Sequence, residues 1–385
     1  MTANAPVIIT PQGLSGLVEA LSRQGRRVLG PTLQNGSLIY ADLQGTDQLP
    51  RGLREEREAG TFRLHQEDGP ALFGYSLGHD SWKRYLHPPQ LTLLNLRREG
   101  SGFTVQARTD QAPPLALLGV RPCELAAIKI LDKIFIERTY PDVHYFARRR
   151  ETVIIVVNCT QPGGTCFCAS MGTGPQARDG FDLALTEVVE PERHYFLVET
   201  GSALGVELME QVEHQPAREE VETAGRMLCD AAGRMGRNLD TAGLKELLYA
   251  NREHPHWQNA ARRCLTCGNC TLVCPTCFCH TLYDGQDLDG LGAWRARRWD
   301  TCFNLEFSYI HGGNVRAAPE ARYRQWVHHK LAAWQDQFGV LGCVGCGRCI
   351  TWCPVGMDIT HEVSMLRQPG QAGPKAESGN GASHG

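Results

Sequence analysis

No cysteine precedes Cys123, no stretch approaches the ~18 uncharged apolar residues of a membrane span, and neither sign of charge dominates. The 39 Lys and Arg against 42 Asp and Glu leave a formal net charge of −3. That balance argues against an electrostatically driven nucleic-acid partner and against an acidic interaction tail. Met1 to Thr10 holds neither a basic leader nor an apolar stretch ending in a small-residue cleavage site, so a cytoplasmic location is expected. A phosphate-binding G-x4-G-K-[ST] loop is missing throughout. Gly172-Thr-Gly174-Pro-Gln-Ala177 imitates a dinucleotide fingerprint, but it follows a cysteine loop rather than a strand and has Pro175 inside it. The chain is therefore not expected to bind a nicotinamide or flavin of its own.

Cysteine is what the chain has in excess. Sixteen occur in 385 residues, about 4% and well below the roughly 8 to 10% of a small disulfide scaffold. Two or three domains are expected from this length, enough to bury a core without staples. Thiols kept reduced in a cytoplasm usually bind metal or carry chemistry. Four cysteines fall between Cys123 and Cys168, Cys229 stands alone, and eleven crowd Cys264 to Cys353.

From Val7 to Val198, short β-prone runs (Leu115 to Val120, Val153 to Val157, Tyr195 to Val198) alternate with helical patterns such as Leu125 to Phe135. This is the pattern of an α/β or α+β domain. Ala217 to Met235 and Thr241 to Arg263 are rich in helix formers and read as helices leading into the cysteine-rich part. Tyr323, Trp326, Val327, Leu331, Trp334 and Phe338 form one stripe of a helix over Glu320 to Phe338, read as core. After Leu366 the tail is small and polar, and disorder is expected there.

Cys264-Leu-Thr-Cys267-Gly-Asn-Cys270-Thr-Leu-Val-Cys274-Pro275 and Cys343-Val-Gly-Cys346-Gly-Arg-Cys349-Ile-Thr-Trp-Cys353-Pro354 are two copies of C-x2-C-x2-C-x3-C-P. In bacterial ferredoxins three thiolates of such a run bind one 4Fe-4S cube and the fourth crosses to the other. A tight turn through Gly268, or through Gly345 and Gly347, wraps three sulfurs around one face of a cube. By this rule Cys264, Cys267, Cys270 and Cys353 hold one cluster, and Cys343, Cys346, Cys349 and Cys274 the other. Structural zinc favours two separated C-x2-C pairs instead. The stretch between Cys274 and Cys343 is too long for a compact ferredoxin hairpin and contains the aromatic helix, so a helical ferredoxin-type domain is expected. Arg262, Arg263 and Arg348 either offset cluster charge or form a solvated face, and His328 and His329 read as surface or core rather than as ligands.

A second constellation lies upstream. Leu115 to Val120 reads as a strand running into Arg121-Pro122-Cys123, and Val153 to Val157 as another running into Asn158-Cys159. Cys166-Phe167-Cys168 follows in the Gly-rich loop that begins Gln161-Pro-Gly-Gly-Thr165. If the strands are parallel neighbours in a right-handed βαβ unit, their C-terminal ends lie side by side. Cys123, Cys159, Cys166 and Cys168 would then meet as four thiolates and hold a third iron-sulfur cluster; the alternative is a set of redox-inert structural thiols. Thr165-Cys-Phe-Cys168 recurs as Thr276-Cys-Phe-Cys279. Cys277, Cys279 and Cys302 have no assigned ligand role and are expected to pack, and Cys229 is expected to be a small core residue.

Together these stretches resemble the 4Fe-4S dicluster β subunit of cytoplasmic sulfhydrogenases, the NAD(P)-linked nickel-iron hydrogenases, and the closely similar iron-sulfur component of anaerobic sulfite reductase. The resemblance rests on Phe73-Gly-Tyr75, Ser81-Trp-Lys-Arg-Tyr-Leu86 with Pro88-Pro89, Gly119-Val-Arg-Pro-Cys-Glu124, Asn158-Cys159, Cys166-Phe-Cys168 and Gly180-Phe-Asp-Leu183. It continues through Cys264 to Cys279, Arg298-Trp-Asp-Thr-Cys302, Arg322-Tyr-Arg324 with His329-Lys330, and Cys343 to Met357. It implies a non-catalytic electron-transfer subunit beside a flavin- and NAD(P)-binding iron-sulfur subunit. The catalytic partner would be nickel-iron hydrogenase small and large subunits or, alternatively, a sirohaem sulfite reductase subunit. The expected architecture is α+β: a mixed α/β domain over 1–215, an α-helical ferredoxin-type domain with two 4Fe-4S clusters over 216–366, and a disordered tail over 367–385.

Overall fold

The computed structural model describes residues 5–76, 78–107 and 113–368; the expected disordered tail lies, from residue 369 on, outside the described residues. Leu115–Val120 and Val153–Val157 are unbroken apolar runs, the pattern of strands covered on both faces, and every residue of both is buried. They pair in parallel at the centre of an eight-stranded sheet. Its order is Gln215–Pro216, Val7–Ile9, His194–Thr200, Leu183–Val189, Val153–Val157, Leu115–Val120, Arg27–Gln34, Ser37–Asp42. The four strands from Leu183–Val189 to Arg27–Gln34 are parallel, and antiparallel strands flank them on both sides.

Alternate side chains serve two cores. Leu118, Ile155 and Val157 pack with Leu14, Leu17 and Leu21 of the helix Pro11–Arg23, whereas Leu117, Ile154 and Val156 pack with Leu125, Ile128 and Leu131 of Pro122–Phe135. Pro122 opens that second helix, a position where its missing N–H costs nothing. The strand-to-helix turn thereby sets Cys123 in the first helical turn, beside the end of Val153–Val157 from which Asn158 and Cys159 emerge.

Two expected helices come out differently. Thr241 to Arg263 is not one helix but two, Leu244–Ala250 and His256–Arg263. Pro255 lacks the N–H a continuous helix needs and disfavours helical backbone at His254, and Trp257 Nε1 closes the gap by donating to Asn251 O at 2.8 Å. Glu320 to Phe338 is helical, but its α-helical parts Pro319–His328 and Trp334–Phe338 are joined by a π-helical turn, His329–Ala333. There the Gly342 N–H, from outside the helix, takes the Lys330 carbonyl at 2.7 Å, the kind of intrusion that widens a turn. Tyr323, Trp326, Val327, Leu331 and Trp334 are buried, as the stripe requires.

The cysteine-rich half is not purely helical. His280–Gln286 and Gly292–Trp299 form a hairpin that pairs antiparallel with Gln90–Glu99, itself paired with Gly102–Ala107. Segments on both sides of the expected 215/216 boundary thus share one sheet, and Gln215–Pro216 itself edges the larger sheet against Val7–Ile9.

A buried ion pair fastens the second cysteine run to the α/β part. Arg348, wholly inaccessible, donates to Gly78 O at 3.0 Å, Asp80 O at 2.6 Å and Glu124 Oε1 at 2.8 Å. The other Glu124 oxygen accepts from Tyr40 Oη at 2.6 Å. Removing one partner of such a pair strands a charge in low dielectric, so Glu124→Ala is expected to cost about 3–5 kcal/mol. Tyr40→Phe, which deletes one hydrogen bond, should cost about 1–3 kcal/mol. Anaerobic denaturant titrations of the two variants would measure the difference, and equal losses would contradict the role given to the ion pair.

Candidate functional site

Both cysteine runs turn through glycines in left-handed backbone: Gly268 at φ +76°, Gly345 at +64° and Gly347 at +74°. Side chains are barred there by space as well as by conformation. A Cβ on Gly347 would lie 2.3 Å from Thr165 O, one on Gly345 2.6 Å from Phe167 O and Cys168 N, and one on Gly268 2.7 Å from Thr301 Cγ2. The second run therefore abuts Thr165-Cys166-Phe167, and the first abuts Thr301-Cys302-Phe303 at the corresponding glycine. Phe167 and Phe303 are both buried in the core of the cysteine-rich half.

The twelve expected ligand cysteines lie close together in one region of the chain, those of each expected set near one another and near members of the next. Cys264, Cys267, Cys270 and Cys353 line one cavity, together with Cys349, Phe303, Tyr323, Trp326 and Met357. Cys343, Cys346, Cys349 and Cys274 lie within electrostatic reach of one another. Cys159 and Cys168 lie within such reach of both Cys123 and Cys166, the four brought together by the two parallel strands and the loop after them. Among the described residues no three His, Cys, Asp or Glu converge as a single metal ion requires; a cube, by contrast, takes its thiolates on separate irons. The sets also touch in order. Cys270 of the first neighbours Cys349 of the second, and Cys346 of the second packs with Cys123 and Cys168 of the third in one buried cluster.

Burial raises the thiols of Cys123, Cys168, Cys264, Cys270 and Cys349, and pushes Cys159 up to about 11 and Cys343 to about 12. Thiolates in such surroundings need positive charge beside them. Sequence reasoning missed most of the residues that supply it. Arg57, buried, donates through Nη2 to Cys166 Sγ at 2.6 Å and pairs through Nε with Glu55 at 2.9 Å. Gly163 and Gly164 of the Gly-rich loop lie so close to Arg57 that a Cβ on either would come within 2.3 Å of it. Arg121 donates to the carbonyls of Phe73, Tyr75, Ser76, Val157 and Asn158, which gives Phe73-Gly-Tyr75 its task. Burial works against the charge on Arg121, but Cys159 and other nearby groups outweigh it and its pKa is raised.

Two buried lysines serve the other end. Lys83 Nζ donates to Cys274 O at 2.9 Å and Cys277 O at 3.0 Å and sits 4.0 Å from the Trp299 ring; burial lowers its pKa to about 8. Lys330, in the π-helical turn, donates to Thr276 Oγ1 at 2.8 Å and Gly342 O at 3.0 Å. Burial opposes its charge too, yet Cys274, Cys277 and Cys343 outweigh burial and hold its pKa well above the ordinary value. Lys330 was legible in principle, since it sits four residues from both Trp326 and Trp334, on the face read as core. Arg57, in the alternating strand Leu53–Glu58, carries no such signal.

The remaining expectations divide. Cys229 is exposed rather than core, because it lies one position off the buried Ala224, Leu228 and Ala231 of its helix. His328 is core, with Nδ1 2.9 Å from Arg324 O and Nε2 2.8 Å from Leu248 O. Arg348 is buried among the thiols, whereas Arg262 and Arg263 are exposed and Arg263 binds Glu362.

The family of 4Fe-4S dicluster domains matches residues 263–357, the stretch that holds both runs. The chain is 33% identical over 295 residues to sulfhydrogenase 2 subunit beta of Pyrococcus furiosus, covering 74% of this chain and 85% of that one. No solved structure matches it. Among the described residues, no helix is long and apolar enough to cross a membrane. With that likeness running through both the cysteine runs and the part outside them, the chain belongs to the sulfhydrogenase β-subunit family and carries the 4Fe-4S dicluster domain of an iron-sulfur electron-transfer protein.

Proposed function

We propose that this chain is the electron-relay subunit of a cytoplasmic hydrogenase complex. It would hold one 4Fe-4S cluster on Cys264, Cys267, Cys270 and Cys353, a second on Cys343, Cys346, Cys349 and Cys274, and a third iron-sulfur cluster on Cys123, Cys159, Cys166 and Cys168. Its neighbours in the complex would be a flavin- and NAD(P)-binding iron-sulfur subunit and nickel-iron small and large subunits. The observation that carries this reading is the spatial order of the thiol sets, with Cys349 of the second lining the cavity of the first and Cys346 packing with Cys123 and Cys168 of the third. When bound, such clusters accept and release single electrons with little movement of their ligands.

The chain's own residues then have three tasks. Cysteines on glycine-pinned turns hold the iron in place. Phe167, Phe303, Tyr323 and Trp326 exclude water. Arg57, Arg121, Lys83, Lys330 and Arg348 supply buried positive charge near the thiolates. Of the twelve thiols, Cys267 is the exposed one. Leu265, at 60% exposure, and Val355, at 43%, flank the same cavity, so the first set marks one end of the relay at the surface.

Iron and acid-labile sulfide analysis is expected to give about 12 Fe per chain, and about 8 would remove the third cluster. Cys267→Ala and Cys346→Ala should each lose about four iron atoms and interrupt electron flow between nicotinamide and the catalytic partner; undiminished turnover would refute the relay. Lys330→Met removes a buried cation, which destabilises the more negative reduced state. The potential of the second site should fall by roughly 65–130 mV, the equivalent of about 1.5–3 kcal/mol for a charged hydrogen bond. A redox titration followed by electron paramagnetic resonance, at unchanged iron content, measures that shift.

A further inference from the structure

Three buried or half-buried cysteines remain outside the three sets: Cys277, Cys279 and Cys302. The hairpin of the smaller sheet brings them together. Its ladder ends at His280 opposite Trp299, and one residue further Asp300 N–H donates to Cys279 O at 2.9 Å. The two strands thus leave the sheet side by side, with Cys279 on one and Cys302 on the other. Both pack in the core of the cysteine-rich half, and each thiol is the largest influence on the ionisation of the other. Cys277 is held elsewhere: its carbonyl accepts from Lys83 Nζ at 3.0 Å, and the largest influence on its thiol is Cys274.

We propose that Cys279 and Cys302 form a reversible dithiol-disulfide couple lying between the first and second thiol sets. Its place is distinctive: Thr301, next to Cys302, is bonded to Thr271 of the first run at 2.7 Å, Cys302 lies within electrostatic reach of Cys270, and Cys279 lies two residues from Cys277, whose carbonyl shares Lys83 with that of Cys274. The Cys302 thiol and, after it and against burial, the ammonium groups of Lys330 and Lys83 lower the Cys279 thiol toward the thiolate, the form that attacks in disulfide chemistry. Oxidation removes one proton from each thiol and two electrons in all, and forms one S–S bond. Reduction breaks that bond, takes up two electrons and two protons, and restores both thiols. A pair of one-electron iron-sulfur carriers, one on each side, is the class of donor and acceptor that balances the step. In this respect the couple rests on the relay reading. It would let the chain store a pair of electrons between one-electron carriers.

The test uses the intact iron-loaded chain, purified anaerobically and poised with either reduced or oxidised dithiothreitol. The iron-retaining fraction is isolated, quenched in acid with excess N-ethylmaleimide and digested with chymotrypsin. Cleavage after Phe278 and Tyr283, and after Trp299 and Phe303, leaves Cys279 and Cys302 each as the one cysteine of its peptide. Under oxidising poise the two peptides are expected to be joined, with two fewer alkylated thiols than under reducing poise and with the iron content equal in both. A Cys277→Ser chain should keep the link, and a Cys279→Ser chain should leave Cys302 fully alkylated. Separate alkylation of Cys279 and Cys302 at both poises overturns the proposal. So does a link found only where iron has been lost, or one that requires Cys277. The relay reading fails on a different result, the iron count and the Cys267 and Cys346 variants, so failure of the couple is distinguishable from failure of the relay.

Discussion

Thiolates taken out of water must have cations taken out with them, and the packing of this chain follows from that requirement. Each buried ion costs several kcal/mol in desolvation unless it meets its complement in good geometry. Arg57, Arg121, Lys83, Lys330 and Arg348 are all 4% exposed or less. Arg57 meets Cys166 directly, Lys83 holds the carbonyls of Cys274 and Cys277, and Lys330 holds the Thr276 hydroxyl between them. Three of the five come from the α/β part and two from the cysteine-rich part. Lys83 crosses to the first run, and Arg348 reaches back from the second run to Glu124. Each half holds cations of its own, and Lys83 and Arg348 carry charge across the boundary between them. Docking of the halves is therefore an electrostatic condition of the sites as well as a hydrophobic one.

The same economy shows in the turns. The corresponding glycines Gly268 and Gly347 press on Thr301 and Thr165, and each threonine begins a Thr-Cys-Phe segment whose phenylalanine enters the common core. The two ferredoxin-type runs thus share a wall design as well as a ligand spacing, although one wall belongs to the α/β part and the other follows the hairpin of the smaller sheet. Thr165 Oγ1 bonds Thr351 Oγ1 and Thr271 Oγ1 bonds Thr301 Oγ1, each at 2.7 Å, tying each wall to the short helix of its run.

What was legible in the sequence is what is local or governed by handedness. The ligand spacing of the two runs is encoded within a dozen residues each. The strands Leu115–Val120 and Val153–Val157 are legible from their apolar runs, and their parallel pairing follows from the right-handed crossover. The hairpin over 280–299 was not legible. Gly292–Trp299 alternates arginine with small and aromatic residues, and its partner Gln90–Glu99 lies far off in sequence. The buried cations escaped for a related reason: a charged residue reads as solvated until a remote partner is known. Cys229 was misread for a simpler one, because the helical period of its own segment already placed it off the buried face.

The closure of Gly345 and Gly347 over Thr165 to Cys168 bears on how the chain is made. At a synthesis rate of ~5–20 residues per second, the interval between the emergence of Cys168 and that of Gly347 is about 10–40 s. For that time the α/β part has its four thiols but not the lid that shelters them, and for most of it Gln90–Glu99 lacks the second of its two partner strands, Gly292–Trp299. The amino-terminal thiols are translated first and enclosed last. In the ribosome-bound chain those thiols stand open to whatever oxidant the surroundings hold.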